Sequence, residues 1–359
     1  MNPTPGFWSG RSVLITGHTG FKGSWLTLWL KRLGAEVSGL SLAPHTEPSL
    51  FNLVFGDQPA SYADVRDLAA VRASVAAARP QIIFHMAAQA LVHPSYRDPV
   101  ATYATNVMGT VHLLEAVREV DCVEATVVVT SDKCYENREW PWGYRENEPM
   151  GGHDPYSNSK GCAELVTSAY RTSFFGPAAG RACRIASARA GNVIGGGDWA
   201  PDRLIPDIVR SFQRNRPVDI RSPRAIRPWQ HVLEPLSGYL LLAERLASDA
   251  GAAYAEGWNF GPPDEDCQPV SHIVDKLAAS WGNGASWSLS DKQQPHEAAF
   301  LKVDASKARA RLGWNSRLRL DDALVWTAEW YRAQSDSQAA VSLTAAQIER
   351  YEALGSPAQ

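Results

Sequence analysis

The sequence is poor in the features that mark secreted, metal-bound and membrane-spanning proteins. Its 359 residues include only five cysteines, which form no Cys-x-x-Cys pair and have no histidines at zinc-finger spacing. We therefore expect neither disulfides nor a metal site, as in a protein of a reducing compartment. No stretch approaches the roughly 20 apolar residues that span a bilayer, and the N-terminus has no basic region followed by an apolar run. These absences predict a cytoplasmic protein that does not enter a membrane.

Neither sign of charge dominates. Lys plus Arg total 35 and Asp plus Glu total 38, which leaves a net charge of −3. This balance supplies no positive field that would attract nucleic acid, so we expect no nucleic-acid partner. The composition, 45% hydrophobic and 20% charged, is that of a globular protein with a sizeable core.

The first half of the chain alternates short apolar runs with longer helical patterns. The runs are SVLITG (12–17), AEVSGLSL (35–42), QIIFHMAA (81–88) and ATVVVTS (125–131), and a further run lies near 184–194. Strands that are apolar on both faces are typical of a parallel sheet covered by helices on each side. The pattern therefore predicts an α/β fold with a doubly wound parallel sheet, the Rossmann architecture.

The composition changes after about residue 195. The segments GGGDWAPDRLIPD and RSPRAIRPWQHV are dense in Gly, Pro, Arg and Trp, which favours loops that bind a ligand. We expect residues 1–190 to form the nucleotide-binding Rossmann domain. Residues 191–359 are then mainly a smaller, loop-rich, substrate-binding lobe, with some segments that return to the first domain.

Three glycines follow the first predicted strand. Gly17, Gly20 and Gly23 in GHTGFKG lie between the strand SVLIT and a helical pattern, with GxxGxxG spacing instead of GxGxxG. Glycines permit a tight turn and close backbone approach, and the helix N-terminus presents free N–H groups to a pyrophosphate. A plain strand-turn-helix is the alternative. The candidate cofactor residues of this turn also include Thr19, Phe21 and Lys22.

The second predicted strand lacks the usual acidic residue. Dinucleotide-binding folds often place an acid about 20 positions after the glycines, where it binds the ribose hydroxyls. Here Ser41 stands at that place, and no arginine nearby could accept a 2′-phosphate. The region favours NAD over NADP.

A tyrosine and a lysine are spaced four residues apart in PYSNSKGCAE. Tyr156 and Lys160 would share one face of a helix, and Ser131 ends the fourth apolar run, at the edge of a parallel sheet where ligands bind. The alternative is a pair of surface helix residues. If the three converge, an ammonium and an oxidised nicotinamide favour the phenolate of Tyr156, which then accepts a proton from a sugar hydroxyl.

The glycine turn, the hydroxyl and the Tyr–Lys pair together resemble the extended short-chain dehydrogenases. Longer segments resemble the CDP-glucose 4,6-dehydratases over nearly the whole chain: GHTGFKGSWL, TSDKCYENREWPWGYRENEPMGGHDPYSNSK, ARAGNVIGGGDWAPDRLIPD and RPWQHVLEPLSGYL. The resemblance implies a lyase that converts CDP-D-glucose to CDP-4-dehydro-6-deoxy-D-glucose and water. NAD takes a hydride from C4, water leaves across C5 and C6, and the hydride returns to C6. Such a step serves the deoxy sugars of bacterial O-antigen lipopolysaccharide.

The resemblance also implies catalytic roles. Tyr156 is the base at the C4 hydroxyl, assisted by Ser131 and Lys160, and Asp132 is the acid that protonates the departing C6 hydroxyl. Lys133 stands where the wider group of 4,6-dehydratases usually has the Glu that abstracts the C5 proton. The identity of the group that abstracts the C5 proton is therefore left open. The alternative for Asp132 and Lys133 is an adjacent surface pair.

Further binding residues follow from the same resemblance. Asp64 and Val65 would lie against adenine, although a helix N-cap and a core valine are their alternative. The other residues expected along the cofactor are Ala87, Ala88, Gln89 and Asn106. The residues expected to bind the nucleotide diphosphate are Asn192, Arg203, Leu204, Arg227 and His231, with solvated surface arginines as the alternative.

The protein is expected to form a homo-oligomer, a dimer or a dimer of dimers, through helices that flank the sheet.

The sequence leaves other functions open. A 4-epimerase, or a 4,6-dehydratase for another nucleotide sugar, shares the cofactor turn, but a simple epimerase does not need the acid Asp132. A catalytically silent NAD-binding scaffold would not need Ser131, Tyr156 and Lys160 together.

Overall fold

The computed structural model describes residues 2–56, 62–176, 180, 183–290, 299–334 and 336–355. Their strands are β1 (Ser12–Thr16), β2 (Glu36–Leu40), β3 (Ile82–His85), β4 (Ala125–Val129), β5 (Arg184–Ala190), β6 (Val193–Ile194), β7 (Val218–Ile220), β8 (Ile226–Pro228), β9 (Gln230–His231), β10 (Gly257–Phe260), β11 (Cys267–Pro269) and β12 (Trp287–Leu289).

The helices alternate with these strands through the first half of the chain. They are α1 (Pro5–Trp8), α2 (Phe21–Arg32), α3 (Leu50–Phe55), α4 (Leu68–Ala78), α5 (Val92–Arg97), α6 (Pro99–Tyr103), α7 (Gly109–Arg118), α8 (Pro155–Phe174), α9 (Leu204–Gln213), α10 (Leu233–Leu246), α11 (Val270–Trp281), α12 (Leu320–Ala333) and α13 (Ser337–Ala353). Shorter 3₁₀ turns include Asp132–Cys134, and a π-helical turn spans Ala104–Met108.

A six-stranded parallel sheet forms the centre of the molecule. Its strand order is β10-β5-β4-β3-β1-β2, and every neighbouring pair is parallel. Parallel neighbours need crossover connections, and helices supply them on both faces of the sheet. The predicted α/β, doubly wound fold is confirmed. Strand β10 comes from the C-terminal half and lies at the edge beside β5.

Successive side chains of one strand enter two different cores. In β1, Val13 and Ile15 belong to the core that includes Trp25 of α2, whereas Leu14 belongs to the core that includes Leu113 of α7. This alternation explains the apolar runs of the sequence, because a strand covered on both faces needs no polar positions.

The C-terminal half adds short two-stranded sheets outside the central sheet. Strands β6 and β9 are parallel, β7 and β12 are parallel, and β8 and β11 are antiparallel. Helix α9 follows β6, α12 and α13 pack together, and α13 also packs against α2 and α3. Residues of β6, α9, β7 and β8 face the carboxyl ends of the central strands. None of the helices within the described ranges is long and apolar enough to cross a membrane.

Candidate active site

A groove of about 830 Å³ lies at the carboxyl ends of the central strands, between the sheet and the C-terminal segments. Ligands of open α/β folds bind at this edge. Nearly all residues that sequence analysis selected line it: Gly17, Thr19, Gly20, Phe21, Lys22, Gly23, Asp64, Val65, Ala87, Ala88, Gln89, Ser131, Asp132, Lys133, Tyr156, Lys160, Asn192, Arg203, Leu204 and Arg227. Two selected residues, Asn106 and His231, lie behind its walls.

The three glycines of the first turn have different surroundings. Gly17 has φ +76°, and a Cβ there would lie 2.7 Å from the Ala87 nitrogen. A Cβ on Gly23 would lie 2.2 Å from the Gly17 carbonyl oxygen, so α2 approaches the end of β1 too closely for any side chain. Gly20 caps α2, and the nearest atom to a Cβ there is 3.4 Å away. A side chain at Gly17 or Gly23 would therefore disrupt the turn, whereas Gly20 has room for a Cβ.

The end of β2 presents the Ser41 hydroxyl instead of an acid, and this hydroxyl meets the His18 imidazole of the glycine turn. Ser41 Oγ lies 2.8 Å from His18 Nδ1, and the Thr19 hydroxyl donates to the Leu42 carbonyl at 2.9 Å. Burial lowers the pKa of His18 to about 4, so this imidazole is neutral at physiological pH. A neutral group here places no charge against the ribose of a bound dinucleotide.

Asp64 lies farther along the same side of the groove. Its Oδ2 accepts a hydrogen bond from Arg66 Nε at 2.8 Å, and this bond is the main cause of the lowered pKa of the carboxyl. Asp64 does not cap α4, because Asp67 accepts the Ala69 and Ala70 N–H groups there. Val65 is buried against α7, as the alternative interpretation expected, and also reaches the groove wall.

The loop after β3 is held from behind. Asn106 Oδ1 accepts the Gln89 N–H at 2.8 Å, and its Nδ2 donates to the Gln89 carbonyl at 2.9 Å and to Ser159 Oγ at 2.8 Å. Because Asn106 is buried and these bonds use its amide, it supports the cofactor loop without lining the groove. Ala87 and Ala88, on the same loop, do line it.

His231 is a core residue. Its ring lies between Trp25 and Trp326, with centroids 5.9 and 5.8 Å away, and burial lowers its pKa to about 3. Arg203 and Arg227, in contrast, line the groove. The structure thus places the two arginines where a diphosphate could be bound, and keeps His231 away from it.

The hydroxyl and carboxyl of the fourth strand lie on a tight turn. Strand β4 ends at Val129, and Ser131 caps the following 3₁₀ turn by accepting the Lys133 N–H at 3.2 Å. The Ser131 hydroxyl donates to Asp132 Oδ1 at 3.0 Å. Asp132 Oδ2 is buried without a hydrogen-bond partner among the described residues. One carboxylate oxygen is therefore available to a ligand.

Helix α8 supplies the tyrosine and the lysine. Asp154 caps it by accepting the Ser157 N–H at 2.9 Å, and Pro155 occupies its first position, as is common at helix N-termini. Tyr156 and Lys160 are buried one turn apart, and both line the groove.

A close backbone contact sets the distance between α8 and the 3₁₀ turn Asp132–Cys134, which we call the catalytic turn. A Cβ on Gly161 would lie 2.7 Å from the Gly151 carbonyl oxygen and 3.1 Å from that of Cys134. The Gly151 N–H donates to the same Cys134 carbonyl at 2.8 Å. Because no side chain intervenes, the helix lies directly against the turn that bears Ser131 and Asp132.

Burial shifts the ionisable groups of the groove toward their neutral forms. It raises the pKa of Asp132, although Lys133, Ser131 and Arg227 act in the opposite direction. It raises the pKa of Tyr156 to about 12, opposed by a hydrogen bond with Ser131. It also lowers the pKa of Lys160 to about 8. Without a bound cation, Tyr156 is therefore a neutral phenol.

The glycine turn contributes a charged group whose environment the sequence did not reveal. Burial, together with the charges of Lys160 and Arg203, lowers the pKa of Lys22 to about 7, and Asp132 acts in the opposite direction. The Lys22 ammonium lies 5.7 Å from the ring centroid of Tyr239 on α10. The sequence does not predict that Lys22 and Lys160 influence each other, because only the fold brings these two lysines close together.

The parallel sheet, the glycine turn and the grouped serine, tyrosine and lysine define the class of extended short-chain dehydrogenases. The family model described as GDP-mannose 4,6 dehydratase matches residues 14–325. The chain belongs to this family.

Individual relatives are consistent with that assignment. The chain is 59% identical to CDP-glucose 4,6-dehydratase of Salmonella typhimurium over 331 residues, which cover 91% of the chain and 92% of the relative. It is 27% identical to dTDP-glucose 4,6-dehydratase of Streptomyces griseus, with 89% and 93% covered. Among solved structures, UDP-glucose 4-epimerase of Thermus thermophilus in complex with NAD aligns with a TM-score of 0.73 at 23% identity, covering 90% and 99% of the two chains. That likeness shows the fold.

Proposed function

We propose that the protein is a lyase that dehydrates CDP-D-glucose to CDP-4-dehydro-6-deoxy-D-glucose with NAD as a recycled hydride carrier. The observation that carries the proposal is the buried Asp132 beside Ser131, in one groove with Tyr156 and Lys160. The 59% identity with the Salmonella CDP-glucose 4,6-dehydratase supports the substrate. The free cysteines of the described residues are consistent with a cytoplasmic enzyme, one that serves early O-antigen synthesis.

The groove fits NAD on its own geometry. The close approaches at Gly17 and Gly23 hold the N-terminus of α2 against the ends of β1 and β3, beside the groove, and helix N-termini bind pyrophosphates. Thr19, Phe21 and Lys22 would flank the same site, and Ala87, Ala88 and Gln89 the next strand end. When bound, NAD accepts a hydride from C4 and returns it to C6.

Tyr156 accepts the proton of the C4 hydroxyl in this proposal. Its pKa of about 12 in the protein alone means that the phenolate needs further positive charge, such as an oxidised nicotinamide. Lys160 supplies a charge one helical turn away, and the Ser131 hydroxyl donates a hydrogen bond to the same sugar oxygen. The three groups together stabilise the oxyanion as the C4 hydrogen leaves.

Asp132 protonates the C6 hydroxyl as it leaves. A raised pKa makes a carboxyl a better proton donor near neutral pH, and its Oδ2 makes no hydrogen bond within the described part of the chain. Lys133, next on the turn, faces the groove and is assigned to the C5 proton, as base or as the group that orients a water. An epimerase would not need Asp132, so this residue favours dehydration.

The nucleotide diphosphate is assigned to the C-terminal side of the groove. Arg203 and Arg227 suit phosphate oxygens because a planar guanidinium can donate two parallel hydrogen bonds to one phosphate. Asn192 and Leu204 line the wall of the same groove. Asp64 and Val65 are assigned to adenine on the opposite side. His231 and Asn106 are assigned supporting roles, since both lie behind the walls. The boundary between residues 1–190 and 191–359 stays a prediction.

The substrate is tested with a panel of nucleotide-linked glucoses. Incubated with NAD, the purified protein should convert CDP-glucose to a product lighter by one water, whereas UDP-, GDP- and dTDP-glucose should react at least about tenfold more slowly, the discrimination of a few missing or misplaced polar contacts. Mass spectrometry reads the product. Equal rates on all four would contradict the assignment to CDP-glucose, and a C4 epimer without water loss would contradict dehydration.

Three substitutions should separate oxidation from elimination. Asp132→Asn keeps the shape but cannot donate a proton to the C6 hydroxyl, so oxidised sugar and NADH should accumulate, seen as lasting absorbance near 340 nm. Tyr156→Phe removes the proton acceptor, so no NADH should form and turnover should fall about a hundredfold or more. Lys133→Ala should stall elimination and slow exchange of the C5 proton with deuterated solvent. Parental dehydration by Asp132→Asn and Lys133→Ala would refute the mechanism.

The glycine turn offers a matched pair of substitutions. Gly20→Val should fold, because the atom nearest to its Cβ is 3.4 Å away, an ordinary van der Waals contact, yet should weaken NAD binding about tenfold or more by filling the pyrophosphate site. Gly23→Ala should instead destabilise the fold itself, because its Cβ would lie 2.2 Å from the Gly17 carbonyl oxygen. Calorimetry with NAD and thermal unfolding distinguish the two. Unchanged NAD affinity in folded Gly20→Val would remove the turn from the cofactor site.

We further propose a homodimer that pairs α6, the π-helical turn Ala104–Met108 and the catalytic helix α8 with the same elements of a second copy. Val100 on α6, Met108 in the π-helical turn and Leu165 on α8 expose 78%, 46% and 60% of their surface on neighbouring helices. The three elements contact one another, and exposed apolar side chains on neighbouring elements favour a protein interface, for which two-fold pairing is the commonest solution.

Light scattering at micromolar concentration should therefore return twice the chain mass. Leu165→Asp should shift the protein toward the monomer, whereas Leu289→Asp, which is equally exposed on β12, should not. A monomer mass for the parent protein, or equal effects of the two substitutions, would count against this interface.

A further inference from the structure

A buried ion pair lies behind the catalytic groove. Arg189 Nη2 on β5 is 2.7 Å from Glu164 Oε2 on α8, and the two side chains are 6% and 4% exposed. Neither residue lines the groove, and neither was selected from the sequence. Burying two charges is costly, and apolar side chains of similar volume often stabilise a core as well. The pair therefore calls for a role other than simple stability.

Glu164 joins the two elements that carry the catalytic groups. The Thr130 hydroxyl donates to Glu164 Oε1 at 2.5 Å, and the Ser187 hydroxyl donates to Oε2 at 2.6 Å. Thr130 directly precedes Ser131, and Glu164 lies on the helix that bears Tyr156 and Lys160. One carboxylate thus ties the catalytic helix to the end of β4 and to β5.

Arg189 fixes the other end of the catalytic turn. Its Nη1 donates to the Tyr135 hydroxyl at 2.7 Å, and its guanidinium carbon lies 5.1 Å from the Tyr135 ring centroid. The Tyr135 hydroxyl donates in turn to Asn259 Oδ1 on β10 at 2.7 Å. Since Tyr135 follows the 3₁₀ turn and Thr130 precedes it, both ends of the turn are anchored to one ion pair.

The carboxylate also acts on Lys160 electrostatically. Glu164 and Lys160 are four residues apart on one face of α8, and the negative charge raises the pKa of the lysine against the lowering effect of burial. Burial raises the pKa of Glu164 itself, but Arg189 and the three donated hydrogen bonds outweigh it, so the net shift is downward. Glu164 is consequently ionised at neutral pH, where Lys160 needs a counter-charge.

We infer that Glu164 is a positioning residue of the active site: it fixes the turn that bears Ser131 and Asp132 and keeps Lys160 charged, with Arg189 as its counter-ion. The inference rests on the proposed function, because it assigns Glu164 a purpose within that reaction. It predicts that loss of the negative charge changes the titration of Lys160 and the rate of the hydride step, whereas a purely structural pair would change only the free energy of unfolding.

The charged and titratable groups that act on Lys160 come from several elements. Glu164 on α8 and Cys134 on the catalytic turn raise its pKa. Lys22 on α2 and His85 on β3 are coupled to it by charge, and burial lowers the pKa of His85 to about 3, so that imidazole is neutral. Burial raises the pKa of Cys134 well above its ordinary value, so its thiol is neutral, and Glu164 is the one of these two groups that is ionised at neutral pH.

The test substitutes Glu164→Gln, which keeps the shape and removes the charge. Without that charge, the pKa of Lys160 should fall by about one unit, the usual effect of a nearby opposite charge. Lys160 acts as a cation, so activity is lost as pH rises through its pKa, and the alkaline limb of the profile should move to lower pH. We expect kcat to fall about tenfold with little change in KM, since Glu164 does not contact the substrate site.

The matched control is Ser187→Ala, which removes one hydrogen bond to the same carboxylate and leaves its charge. It should leave the alkaline midpoint in place. Because Glu164→Gln alone leaves Arg189 buried and unpaired, the double variant Glu164→Gln with Arg189→Gln removes both charges and should keep the shifted midpoint. Glu164→Asp, which restores the charge, should recover part of kcat.

A second measurement is independent of turnover. NMR titration of ¹³C-labelled lysines, with the Lys160 signal assigned through Lys160→Arg, reports the pKa of Lys160 directly. If the parent protein does not dehydrate CDP-glucose but Glu164→Gln lowers this pKa, the proposed function fails and the electrostatic role stands. If the pKa of Lys160 and the alkaline limb are the same in the parent, in Glu164→Gln and in the double variant, the inference is wrong.

Discussion

The structure depends on the burial of ionisable groups at the carboxyl edge of a parallel sheet. This edge brings the ends of separate strands together, which is where a ligand can meet several side chains at once. The same burial removes water, so Asp132, Tyr156 and Lys160 are each shifted toward their uncharged forms. Chemistry at the site therefore requires compensating charge, and the fold supplies part of it from behind the groove through the Glu164–Arg189 pair.

The geometry of that edge is set by places where side chains are missing. Gly23 allows α2 to approach the end of β1, and Gly161 allows α8 to lie against the catalytic turn. Both are backbone contacts that even a single Cβ would disturb. Distances between the cofactor turn, the serine and the tyrosine thus follow from close packing of main chain, which is stiffer than contacts between long side chains.

The residues around the groove form two layers with different tasks. Arg203 and Arg227 reach the cavity, whereas Asn106 and His231 support it from the rear. Asn106 shows how support works, because its amide holds both backbone groups of Gln89 and so determines the shape of the loop after β3. A sequence motif does not distinguish the two layers, since both consist of polar residues close to the same strand ends.

The sequence by itself determined the α/β class, the glycine turn and the Tyr156–Lys160 pair. These features depend on local periodicity: apolar runs, strand-turn-helix order and four-residue spacing all act within a few neighbouring residues. Only the tertiary structure decided that a Cβ has room at Gly20 but not at Gly23, that His231 is enclosed by Trp25 and Trp326, and that Glu164 and Arg189 join across α8 and β5. Burial and charge compensation depend on contacts between residues far apart in the chain, and no local pattern records them.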